Sequence, residues 1–152
     1  EDITGMDKII FKDKTLNLFE DIQGVFDQVK GIDDITGKIY RLYNSAFDRF
    51  PDSEGLKYWI KMNETKQNTY KQTCFSFLFS NEYKSTYGEN SSNNEFINAL
   101  YKNVLNRLPD NDGFIYWENQ LSSGTDTRAD VLMSFSESVE NKLIFSIETN
   151  IT

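Results

Sequence analysis

The chain repeats itself. At an offset of 58 positions, without a gap, Tyr43 matches Tyr101, Arg49 matches Arg107, Pro51 matches Pro109, Asp52 matches Asp110, Gly55 matches Gly113, Tyr58 matches Tyr116 and Trp59 matches Trp117. The same register pairs Thr69 with Thr127, Phe77 with Phe135, Ser80 with Ser138, Glu82 with Glu140 and Lys84 with Lys142. A gap-free register this long marks a duplicated unit. The copies occupy residues 33–90 and 91–147, with 1–32 as a piece of different character and 148–152 as a tail.

Each copy reads as helical. Ile35, Ile39, Leu42, Ala46, Phe47 and Phe50 recur at steps of three or four, as do Phe96, Ile97, Leu100, Tyr101, Val104, Leu105 and Leu108 in the second copy. Asp33 or Asp34 is a natural N-cap for the first helix, and Ser92-Asn93-Asn94-Glu95 is a capping box for its counterpart. Both helices are expected to end just before their proline, which restricts the preceding residue. Pro51 and Pro109 then turn the chain, and Asp52 and Asp110 cap the next helix. Leu56, Trp59 and Ile60 share one face of it, as do Phe114, Trp117 and Leu121, so the tryptophans are expected to point inward. A third helix is predicted over 69–79 and 127–135, and a short fourth from Ser80 or Ser138. The recurrence of Arg49 with Glu82, and of Arg107 with Glu140, predicts an Arg–carboxylate contact closing each copy, with Asp52 as a competing partner for Arg49.

The N-terminal piece differs. Ile9-Ile10-Phe11 and Leu16-Asn17-Leu18-Phe19 flank the polar Lys12-Asp13-Lys14-Thr15, which reads as two short strands around a turn, and residues 20–32, with Gly24 and Gly31, read as a connector. The expected fold class is therefore all-α, two tandem four-helix units packed as one helical domain, with a short N-terminal β-hairpin.

With 152 residues, 38% of them hydrophobic and 14% aromatic, the chain has enough to bury for one core. The net charge of −8 disfavours nucleic acid and anionic lipid, which bind clustered Lys and Arg. Histidine is absent and Cys74 is the only cysteine, so internal disulfides and the usual zinc spacings are excluded, and Cys74 sits in an apolar run that predicts burial. No run is long enough to span a membrane; the acidic N-terminus lacks the charged-then-apolar layout of a secretory signal, but a start at Glu1 is expected of a piece of a longer protein, in which that says little.

The twice-repeated Pro-Asp-x-x-Gly-x-x-Tyr-Trp is the most specific feature. Proline, aspartate and glycine have local backbone reasons for their places, and the aromatic pair reads as a core anchor; the competing reading is an exposed platform for sugar or protein. Without histidine, catalysis would need facing carboxylates, but Asp52, Asp110, Glu82 and Glu140 each have a simpler use as cap or ion-pair partner, so an enzyme is not expected. No cofactor is expected, although Asp110-Asn111-Asp112 and Asp33-Asp34 offer oxygens to calcium; neither follows the EF-hand spacing. Asn63, Asn90 and Asn150 head Asn-x-Ser/Thr triplets that carry little weight.

These two motif segments, preceded by Tyr43…Arg49 or Tyr101…Arg107 and followed by Phe77…Ser80…Glu82 or Phe135…Ser138…Glu140, resemble the bacterial domain of unknown function 4214 over about residues 33–147. The closing Phe135-Ser136-Glu137-Ser138-Val139-Glu140-Asn141-Lys142 looks especially like that family's ending. The resemblance implies a helical layout similar to the phycobilisome linker domain and a setting in large secreted proteins, including calcium-repeat (RTX) type I exoproteins, adhesins and surface-layer proteins. It implies no catalytic residues. The expectation is a non-catalytic structural or interaction module, extracellular or at the cell surface, whose partners are other subunits or domains of its parent. The alternatives are a carbohydrate-binding module and an intracellular linker-like scaffold.

Overall fold

The computed structural model describes residues 8–11, 14–17 and 20–152. Its helices start where the sequence supplies side-chain caps. In the first copy, α2 (Ile35–Phe47) begins at Asp34, whose carboxylate accepts from the Thr36 and Gly37 N–H groups. Then α3 (Ser53–Glu64) begins at Asp52, α4 (Tyr70–Leu78) at the Thr69/Gln72 capping box and α5 (Asn81–Tyr87) at Ser80. The second copy repeats the series as α6 (Asn93–Leu105), α7 (Asn111–Ser122), α8 (Arg128–Ser136) and α9 (Val139–Thr149), opened by Ser92, Asp110, Thr127 and Ser138. Each cap satisfies a backbone donor that the helix cannot, and contributes about 1 kcal/mol. Both α2 and α6 stop short of their prolines, because Asp48 and Asn106 adopt the left-handed conformation (φ 52° and 55°) and close the helix first.

The N-terminal expectation is corrected. Lys8–Phe11 (β1) and Lys14–Asn17 (β2) pair antiparallel, with Lys8 opposite Asn17 and Phe11 opposite Lys14, and form a sheet with no third strand among the described residues. Lys14 and Thr15, expected in the turn, are in β2; the remaining expected turn residues, Lys12 and Asp13, and the expected strand residues Leu18 and Phe19 lie outside the described residues. The connector expected over residues 20–32 is corrected as well, because most of it is helical. Among the described residues there are nine helices, and the extra one, α1 (Glu20–Gln28), occupies most of the expected connector. It docks on α3: Val25 is fully buried, Gly24 lies against Ser53 with no room for a side chain, and the Gln28 amide donates to the Ser53 carbonyl (3.1 Å) and hydroxyl (3.2 Å). Phe26 packs against the rings of Tyr40 and Phe50, which also meet each other edge-on.

One core runs through both copies, joined where α4 packs on α8 and where α2 packs on α6 and α8. Phe77, Phe96, Phe145, Leu56 and Leu132 are among its fully buried members. Because α1 covers only the first copy, the flanks differ. Leu56 and Ile60 are buried on α3, whereas α7 has no fully buried residue, and Leu108, in the position of the packed Phe50, is 85% exposed.

Candidate functional site

The repeated motif folds into a corner between the first and second helices of each copy, α2 with α3 and α6 with α7. In the first, Asp52 accepts from the Gly55 N–H (2.9 Å) while Arg49 lies over the rings of Tyr43 and Phe47. The Arg49 guanidinium grips Glu82 with two bonds, Nε to Oε1 (2.5 Å) and Nη2 to Oε2 (3.0 Å), and donates from Nη1 to the Phe50 carbonyl. Asp52 also lies within 3.4 Å of Nη1, so the competing partner joins the pair rather than replacing Glu82. Gly55 is required by space: a β-carbon there would run into the Tyr43 hydroxyl. Pro51 is buried at the turn.

The second corner repeats this geometry. Asp110 accepts from the Gly113 N–H (3.0 Å), Arg107 pairs with Glu140 at 3.0 and 3.2 Å and lies over the Tyr101 ring, and a side chain at Gly113 would meet the Tyr101 hydroxyl. Pro109, at the equivalent turn, is half-buried. The difference is solvent: the Arg49 side chain is 10% exposed and Arg107 42% exposed, so the first pair acts in a lower dielectric. Burial works against the charge on Arg49, but the Glu82 carboxylate outweighs it and raises the guanidinium pKa. Burial and the nearby Asp52 carboxylate push the Tyr43 hydroxyl far above its usual value.

The tryptophans face the core, half-buried, with ring centroids 5.3 Å (Trp59 to Phe77) and 5.2 Å (Trp117 to Phe135) from equivalent phenylalanines of the two copies. The tyrosines do not. Tyr58 and Tyr116 are 54% and 53% exposed, edge-on to their tryptophans, so the reading of the Tyr-Trp pair as one buried anchor is corrected for its tyrosine half. Consecutive helical residues diverge by about 100°, so only one of the two can face inward.

The calcium candidates have other partners. Asp33 pairs with Lys142 (2.8 Å), Asp34 and Asp110 cap helices, and among the described residues no cluster of three or more acidic or cysteine side chains is placed to share a metal ion. Asn63 donates to the Trp59 carbonyl and the Thr73 hydroxyl, both at 2.9 Å.

A second polar cluster, absent from the sequence reading, lies at the seam between the copies. Arg41, 2% exposed, donates from Nε (3.2 Å) and Nη2 (2.7 Å) to the Glu137 carboxylate. The Tyr70 hydroxyl reaches the Ser136 hydroxyl (3.1 Å) and Glu137 (3.3 Å). Beside them, Cys74 is fully buried, and burial, with the Glu137 charge, pushes its thiol up to about 12, which keeps it protonated and unreactive. The signal for this cluster was difference rather than identity: at the 58-residue offset Arg41 aligns with Ala99, Tyr70 with Arg128 and Glu137 with Phe79.

The geometry thus defines a class: a duplicated helical domain whose repeated polar motif is bound up in its own caps and ion pairs. The family model described as Domain of unknown function (DUF4214) matches residues 74–145, which bears out the resemblance over that span. The match begins inside α4 and ends in α9, so it takes in the later part of the first copy with most of the second, across the seam. No curated protein and no solved structure matches the chain. No described helix is long and apolar enough to cross a membrane.

Proposed function

We propose that this is a non-catalytic assembly or attachment module of a secreted or surface-layer protein, acting through its outer faces. The observation that supports this most is the use of the motif: the Arg–Glu pair of each corner is engaged within its own unit, whereas large apolar side chains such as Phe75, Phe79, Leu143 and Ile147 are exposed. Exposed apolar surface of this kind marks contact with another macromolecule. The test is deletion of residues 20–152 from a protein that carries the domain. Export should continue while assembly or retention at the cell surface falls; intact assembly would overturn the reading.

Carbohydrate binding is the second reading, favoured by Tyr58 and Tyr116, two exposed rings at equivalent places beside the tryptophans. Titration with cell-surface polysaccharide should then shift tryptophan emission, and Tyr58→Ala with Tyr116→Ala should abolish the shift. The third alternative, an intracellular scaffold, would place the parent inside the cell, which fractionation decides.

A further inference from the structure

We infer that the domain associates head to tail with a second copy of itself, the exposed edge of α9 from one chain seating in a groove beside Phe75 and Phe79 of the next. This rests on the assembly reading and names its partner.

The groove has a volume of about 310 Å³ and runs between α4, α5 and the start of α8. On it, Phe75 and Phe79 are 54% and 59% exposed and stack on each other at 4.3 Å. The second copy shows what the fold does with these positions when they are closed. There the counterpart of Phe79 is Glu137, locked under Arg41 and Tyr70 in the seam. In the groove that carboxylate is missing: Phe79 takes its place, and Arg128 stands where Tyr70 does. Arg128 donates to neutral oxygens, the Ser91 carbonyl and hydroxyl and the Asn93 amide, while on the same rim Lys84 pairs with Glu89 at 3.4 Å. An apolar ledge whose rim carries one net positive charge, at Arg128, fits an apolar helix edge that carries an acidic residue.

That edge exists on α9. Val139, Leu143 and Ile147 follow one another a turn apart and are 86%, 60% and 75% exposed. The first copy has Asn81, Ser85 and Glu89 at these places, so the stripe belongs to the second copy alone, as the phenylalanine ledge belongs to the first. Glu140, which flanks the stripe, is held by Arg107, but Glu148 follows it, exposed and opposite in sign to Arg128. The two surfaces share no residue. A contact between them is therefore heterologous, and unless its rotation closes a ring it propagates into a chain of copies. A single helix edge in so small a groove buries well under the about 800 Å² per partner of a standard stable interface, so the association is weak and grows with concentration. Self-repulsion from the net charge of −8 is short-ranged in physiological salt, where screening acts over about 8 Å.

The test is sedimentation velocity across a concentration series in physiological salt. The wild-type mass should rise with concentration and not level off at a dimer. Phe79→Glu, which installs the second copy's residue, and Ile147→Lys should each restore the monomer with unchanged melting. Mixed, they should form a one-to-one complex that grows no further, since one variant keeps its edge and the other its groove. Three results would overturn the inference: a wild-type monomer at every concentration, a mixture of the two variants that stays monomeric, or loss of association on changing the edge but not the groove. None of these would touch the deletion experiment, whose outcome decides the assembly reading by itself.

Discussion

Replacing Glu137 by glutamine would remove a carboxylate from the seam while keeping its shape. Arg41 then stays in place, 2% exposed, with its charge unopposed and its Nη1 already lacking a hydrogen-bond partner among the described residues. Breaking a buried pair by removing one member costs about 3–5 kcal/mol, because the remaining charge is stranded in low dielectric. Glu137 retains 16% exposure and Lys142 approaches to 4.0 Å, which softens its surroundings and puts the expected loss near the lower end, about 3 kcal/mol. For a domain of this size that lowers the melting midpoint by roughly 6–12 °C. The control is Glu140→Gln, which breaks a pair of similar geometry in solvent and should cost less than about 1 kcal/mol. Replacing Arg41 and Glu137 together by leucine should recover most of the loss. Calorimetry and urea denaturation of the four proteins complete the experiment. Equal small losses at both positions would refute the argument that the seam is a low-dielectric lock.

The Asp130 carboxyl is held at about 2, chiefly by Lys71 and then by Thr127. Its folded pKa lies below its unfolded value, so the native state binds fewer protons there, and the stabilisation is present above about pH 4 and fades as pH falls toward about 2. Denaturation midpoints across that range should show the fall, and Asp130→Asn should flatten part of it. Cys74 should resist a thiol-reactive probe in the native protein at about pH 8 and label at once in denaturant; rapid native labelling would contradict its burial and raised pKa.

What the sequence made legible was the chemistry that is local and occurs twice. Caps at Asp52, Asp110, Thr127 and Ser138, the proline corners and the two Arg–Glu closures all act within one unit, so identity between the copies points to them. The seam is the opposite case. Arg41 and Glu137 meet across 96 residues, and neither has a like residue at its counterpart, so comparing the copies for sameness passes over them. Helix α1 was hidden because Gly24 reads as a breaker, while its actual reason is the close approach of Ser53. The outward turn of Tyr58 and Tyr116 follows from helical geometry, but pairing each tyrosine with its tryptophan as one anchor concealed it.

The central claim is that the repeated motif holds each unit shut from within. Its most direct test is urea denaturation of Gly55→Ala and Gly113→Ala, measured beside the surface assembly of the parent. Each added methyl must displace a tyrosine hydroxyl, so the account predicts a lower midpoint for both variants. Wild-type midpoints combined with lost assembly would contradict it, because the corners would then be acting on a partner and not on the fold.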